Sequence, residues 1–191
     1  MNTSELESTN LRKLIRARRT IKPKQYTGET IAQEIIEDIL ENANFAPNHK
    51  LHEPWRFKVF TDTGKKSLGT FESEWYKQHT PPEKFTLPKY EKYQTRVEKA
   101  SHIIAICLHR KKTAKIPLFE DQAAVACAVQ NMWLTATAYG LAAYWATGGA
   151  TYSDELDQFL GLSDNEHCLG FLYLGKPQLP LHLPTINRTP I

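Results

Sequence analysis

The run EDQAAVACAVQNMWLTATAYG, residues 120–140, limits the possible folds more than any other stretch of this chain. It carries no breaker before its last residue, and small side chains dominate it: Ala123, Ala124, Ala126, Ala128, Ala136 and Ala138. A helix that is apolar or small nearly all round has no solvent face of its own, so it is expected to be buried. In a chain of 191 residues that means a central position or a place at a subunit interface. Gly140 stands where a helix C-terminus commonly takes glycine.

Other elements arrange themselves around this helix. Leu11, Leu14 and Ile15 repeat at helical spacing, with Arg18 and Arg19 closing that helix. A second helix is expected to open at Thr30, with Gln33 three residues on in a capping-box pattern. Its apolar face comprises Ile31, Ile35, Ile36, Ile39, Leu40 and Ala43, and Pro47 forbids its continuing far beyond Phe45. WRFKVF alternates as a strand, placing Trp55, Phe57 and Val59 on one face. Residues 61–101, polar, aromatic and interrupted by Pro81, Pro82 and Pro88, read as two helices and a connector. HIIAICLHR has the length and continuous apolarity of a strand buried on both faces. AAYWATGG is a strand entering a glycine turn, SDELDQFLG a short helix and CLGFLYLGKP another strand. Helices and strands mix without regular βαβ alternation, so the expected class is α+β, one domain over residues 1–191.

Composition excludes more than it selects. With 41% hydrophobic and 24% charged residues the chain is globular, and a net charge of 24 − 21 = +3 is too small to argue for nucleic acid. No apolar run approaches the roughly 18 residues of a membrane span. MNTSELESTNLRK has no apolar core and carries acids early, unlike a secretory signal. Cys107, Cys127 and Cys168 are odd in number and set in apolar runs, as reduced, buried thiols would be. A cytoplasmic protein is the expectation.

Three segments could carry chemistry. FAPNHKLHEPWRF, residues 45–57, holds His49, His52 and Glu53: a metal cage, a packing loop or a pocket wall. Zinc needs at least three ligands in compatible directions, and no second His/Cys cluster completes this set. Arg18, Arg19, Thr20 and Lys22 place three cations and a hydroxyl at a helix end. They either complement the helix dipole or grip a phosphate through the guanidinium fork. The two glycines of WATGG form an ordinary turn or let main chain approach a ligand closely. GxSxG, GxGxxG and GxxxxGK[ST] are all absent.

Taken in order, RRT (18–20), APNHKLHEPWRF (46–57), EDQAAVACAVQNM, GLAAYWATGG (140–149) and LGFLYLGKPQ (169–178) resemble the FMN-dependent nitroreductase family, in particular its short single-domain members. The resemblance implies a three-layer sandwich with a central mixed sheet flanked by helices. It also implies a homodimer with two flavins at the interface and a C-terminal tail extending across the partner. By resemblance, Arg18 and Lys22 hold the FMN phosphate, with Thr20 at the phosphate or ribityl chain and Arg188 as a further phosphate contact; Arg19 belongs to the same cofactor-binding set. Pro47, Asn48 and His49 would reach the flavin from the other subunit, making the histidine loop a flavin wall. Trp145, Ala146, Thr147 and Gly148 would line the ring. Two departures stand out: Glu53 replaces a frequent Gln, and Ala146 an Arg found in some short relatives.

The resemblance further implies hydride transfer from NADH or NADPH, through FMN, to nitroaromatics, quinones or similar small acceptors in a ping-pong order. No catalytic side chain is required. The nicotinamide is expected near Thr135–Gly140, and the aromatic segment 71–93 is expected to cover the pocket mouth. The alternatives are another flavin enzyme on the same fold, an oxidase or reductive dehalogenase, and a non-catalytic module binding an anionic partner through Arg12–Lys24.

Overall fold

Four strands carry the architecture of the computed structural model, which describes residues 3–111, 113, 115–180 and 188–189. They are β1 (Trp55–Phe60), β2 (His102–His109), β3 (Ala142–Ala146) and β4 (Glu166–Gly175), in the order β1-β2-β4-β3, each pair antiparallel. The expected mixed sheet is instead antiparallel among the described strands, with one parallel bridge from Thr20, outside the strands, to Ala143 of β3.

The central strand β2 is buried along its whole length except His109. Its lack of polar alternation is the cause: successive side chains feed opposite cores. Ile104, Ile106 and Leu108 join one core, built with α2 (Gln33–Ala43) and α5 (Leu118–Ala138). Ile103, Ala105 and Cys107 join the other, which includes Leu68 of α3 (Asp62–His79), Val97 just beyond α4 (Leu87–Thr95), and Leu156 of α6 (Asp154–Phe159). Each such Ile or Leu contributes about 1.5–3 kcal/mol by burial. The helix α1 (Thr3–Ala17) lies against α5. Helices, sheet and helices make the expected three layers.

Some local expectations fail for identifiable reasons. The capping box at Thr30 does not form: α2 begins at Gln33 after Ala32, and Gln33 Nε2 donates instead to Glu37 at 3.1 Å. Ser101 Oγ accepts the Ile31 N–H at 2.7 Å, which holds that segment extended and buries Ile31 ahead of the helix. Trp55 and Phe57 pack on the first core, whereas Val59 is 43% exposed near the end of an edge strand. Helix α5 is one-sided within one chain. Ala124, Val125, Ala128, Val129, Met132 and Ala136 face the core, while Ala123, Ala126, Cys127 and Gln130 are exposed. Cys127 is therefore a surface thiol; Cys107 and Cys168 are buried as expected. The expected extended tail falls on residues of which 181–187, 190 and 191 lie outside the described set.

Candidate functional site

Where the chain leaves α1 it crosses the open edge of β3. The crossing is held by the Ile21 N–H, which donates to Ala143 O at 3.0 Å, beside the Thr20 bridge. Just before it, the Arg18 guanidinium lies over the Trp133 ring of α5, 4.5 Å from its centroid. Trp133 Nε1 donates to Arg19 O at 3.3 Å, and Arg19 Nη1 donates to Arg18 O at 3.0 Å and to Arg16 O. Arg16, Arg18, Arg19 and Arg188 line a cavity of about 650 Å³ together with Ile15 and Gln130. Burial, then the fields of Arg188 and Arg19, push the Arg18 pKa below its ordinary value. Among the described residues no carboxylate lies within ion-pair distance of Arg18, Arg19 or Arg188. Crowded guanidiniums without a counter-ion form a site for an anion, and their planar forks match phosphate oxygens.

Lys22 is not in this cavity. Beyond the bridge it lines a second one, of about 470 Å³, with Tyr144 and residues at the end of α4. The structure thus splits the RRTxK run across the sheet edge.

At the far end of β3, Ala146 is buried, while Thr147 and Gly148 are exposed. A Cβ on Gly148 would meet no atom within 4 Å, so the main chain there stands open to a ligand. The turn continues through Gly149 at φ 70°, and Thr151 Oγ1 donates to Gly148 O at 2.9 Å. Trp145 Nε1 is buried without a hydrogen-bond partner among the described residues. Behind it, Gly170 of β4 adopts φ 132°, and a Cβ there would lie 2.5 Å from Ala146 O and 2.6 Å from Trp145 Nε1.

The histidine loop lies elsewhere. Lys50, Leu51 and Glu53 all have positive φ, 52°, 52° and 46°, a conformation that costs non-glycine residues about 1–3 kcal/mol each. Side chains hold it in place. Asn48 Oδ1 accepts the Glu53 N–H at 3.0 Å, His49 Nδ1 meets Glu120 Oε2 at 2.7 Å, and His52 Nδ1 meets Asp121 Oδ1 at 2.9 Å. Arg110 reaches the other oxygen of Asp121, also at 2.9 Å. Pro47 and Asn48 precede the loop, and Asn48 Nδ2 donates to Ala46 O at 3.3 Å. Each histidine is thus engaged by a carboxylate of α5, and among the described residues no group of three or more His, Cys, Asp or Glu could hold a metal.

Asp121 and Trp133 are twelve residues apart on α5, roughly 18 Å along the axis. One chain therefore does not bring Pro47, Asn48 and His49 together with the arginines. The sequence reading missed Arg16, Gln130 and Trp133 at the arginine cavity, and Glu120, Asp121 and Arg110 behind the loop.

The chain resembles known proteins over most of its length. The Nitroreductase family model matches residues 15–176. A curated Bacillus subtilis relative named "Putative NAD(P)H nitroreductase YfhC" is 31% identical over 183 residues, covering 95% of this chain and 90% of the relative. A nitroreductase-like family protein from Bacillus cereus superposes with a TM-score of 0.76 at 25% identity, over 93% of this chain and 89% of the other. A Desulfovibrio desulfuricans structure in complex with FMN superposes with a TM-score of 0.68 at 26% identity, over 93% and 90%. With the family model matching most of its length and a relative 31% identical over 90% of that relative, the chain belongs to the nitroreductase family.

Proposed function

We propose that the chain is an NAD(P)H-dependent FMN oxidoreductase. The observation that carries this reading is the arginine cavity: guanidiniums without counter-ions at the RRT segment, in a chain whose relative of 26% identity was solved in complex with FMN. Arg18 and Arg19 would hold the phosphate with Arg188 as a further contact, Thr20 the ribityl side, and Lys22 would extend the cationic edge. Trp145, Ala146, Thr147 and Gly148 would lie along the ring, where the main chain of exposed Thr147 and Gly148 offers N–H donors. When bound, FMN supplies hydride exchange between NADH or NADPH and a conjugated acceptor such as a nitroaromatic or a quinone.

The protein's part is to anchor, orient and exclude water; this reading assigns no catalytic side chain. The co-substrate and the acceptor use the site in turn, a ping-pong order. Pro47, Asn48 and His49 would complete the site of a second copy, because within one chain they stand roughly 18 Å from the arginine end. The uncharged outward stripe of α5, Ala123, Ala126 and Cys127, gives a homodimer a surface on which helices can approach closely. No described helix is long and apolar enough to cross a membrane, and a cytoplasmic location belongs to the same reading.

The purified protein should be yellow, elute as a dimer, and lose its flavin absorbance on anaerobic mixing with NADH or NADPH. Adding a quinone should restore the absorbance. A colourless protein that takes up no FMN overturns the reading in favour of an anion-binding module, and a flavin that neither nicotinamide bleaches leaves a flavoprotein without this activity.

A further inference from the structure

Cys107 of β2 and Cys168 of β4 stand opposite each other across the antiparallel ladder. Directly opposed residues have Cα atoms about 4.5–5.5 Å apart, inside the roughly 4.4–6.8 Å that a disulfide spans. Both side chains enter the same core, with Ile103, Ala105 and Phe171, so the two thiols lie on one face of the sheet. All three cysteines are free, but only Cys127, on α5, is exposed. A hydrogen bond to Cys168, and then burial, push the Cys107 thiol up and keep it protonated. A resting thiol of this kind is inert, because the thiolate is the nucleophile. Reaction therefore requires the strands to part.

The backbone around the pair is the irregular part of the β2–β4 ladder. Ile106 faces Gly170 while Cys107 faces Cys168, which leaves Leu169 as the extra residue of a bulge. Cys168 Sγ is bound into that bulge: it accepts the Gly170 N–H at 3.4 Å and donates to Gly170 O at 3.5 Å. The start of β4, two residues before Cys168, is held from outside the sheet. Asp157 of α6 accepts the Cys168 N–H on Oδ1 at 3.0 Å and meets His167 Nδ1 through Oδ2 at 2.9 Å. The His167 side chain is 61% exposed. Releasing this tether opens a strand end and not the whole core, a sub-global event that exposes buried groups ahead of global unfolding.

We propose that Cys107 and Cys168 form an oxidation site, which closes to a cross-strand disulfide when the start of β4 opens to hydrogen peroxide. One thiol takes an oxygen atom from the peroxide, releasing water, and becomes a sulfenic acid. The other displaces a second water from that sulfur, so two thiols and one peroxide give one disulfide and two waters. The bond consumes the S–H that Gly170 O accepts. It also fastens the central strand to β4 beside the bulge that packs on Ala146 and Trp145. The thiols react in this way with or without a flavin on the chain.

Peroxide treatment of the full-length Cys127→Ser variant tests this, followed by thiol counting in denaturant and peptide mass mapping. The two remaining thiols disappear together, the Cys107 and Cys168 peptides are recovered joined, and dithiothreitol restores both. The oxidised chain melts about 5 °C higher, because the cross-link restrains the unfolded state. Cys107→Ser in the same background shows neither the link nor the shift. Asp157→Ala, with its thermal midpoint reporting that it is folded, speeds linkage about tenfold through loss of one charge-assisted hydrogen bond. Thiols that stay free until the chain unfolds globally, or that pass to sulfinic acids without a link, overturn the proposal. An unchanged rate in Asp157→Ala overturns the opening of β4 as the route.

Discussion

At its first turn α5 commits two carboxylates to the chain itself: Glu120 to His49, and Asp121 to His52 and Arg110. Roughly 18 Å further along, the same helix presents Trp133 and Gln130 to a group of arginines, with no carboxylate in reach among the described residues. One end satisfies its charges internally and holds a strained loop; the other leaves its charges open and can be satisfied only from outside. Folding energy sits at the first, binding energy at the second. The contrast turns a continuous helix into two functional ends, and it can be broken by experiment.

The largest effect should come from Asp121→Ala. Asp121 is 3% exposed and serves two partners, so its loss strands Arg110 and His52 and should cost about 3 kcal/mol of stability. That is roughly 6–12 °C in thermal midpoint for a chain of this size. A loss under about 1 kcal/mol in denaturant melts would show that the acid end is not a structural clamp.

Arg18→Ala comes next. One charge-assisted hydrogen bond is worth about 1.5–3 kcal/mol, so FMN affinity should fall about 10- to 100-fold, read from flavin absorbance against chain concentration. The flavin-free variant should melt within about 0.5 kcal/mol of wild type, because the substitution relieves repulsion from Arg19 and Arg188. If Arg18→Ala destabilised the flavin-free chain as much as Asp121→Ala does, the contrast between the ends would be gone. Arg19→Ala should weaken FMN only about threefold, under 1 kcal/mol, since one Arg19 nitrogen is already taken by the backbone oxygens of Arg16 and Arg18. The smallest effect belongs to Glu120→Gln. Its pair with His49 is substantially exposed, so the change in stability should stay within about 0.5 kcal/mol; a larger one would move Glu120 into the clamp.

The same contrast explains what could be read from sequence. Helix α5, strand β2 and the turn at Gly149 were legible because each is written in consecutive residues: composition, periodicity and a breaker. So was the cationic run at Arg18 and Arg19, although its split from Lys22 depends on the Thr20–Ala143 bridge, a pairing across more than a hundred residues. The carboxylates behind His49 and His52 were not legible, because side chains about seventy positions apart meet only once the sheet is formed. The capping box at Thr30 shows the opposite error. The local pattern was correct in kind, and a tertiary bond from Ser101 overrode it. The all-round apolarity of α5 marked a helix wanting cover on both sides, and within one chain only its inner side is covered.

The constraint at Gly170 reaches into how this chain can diverge. With its missing side chain's place taken by Ala146 O and Trp145 Nε1, and with the β2–β4 register shifting just beside its partner Ile106, no single substitution there has a neighbouring backbone to settle into. In a randomised library, replacements at 170 should vanish before selection for turnover begins. Survivors should carry compensating changes at 145–147, so that two distant stretches of sequence drift as one inherited unit.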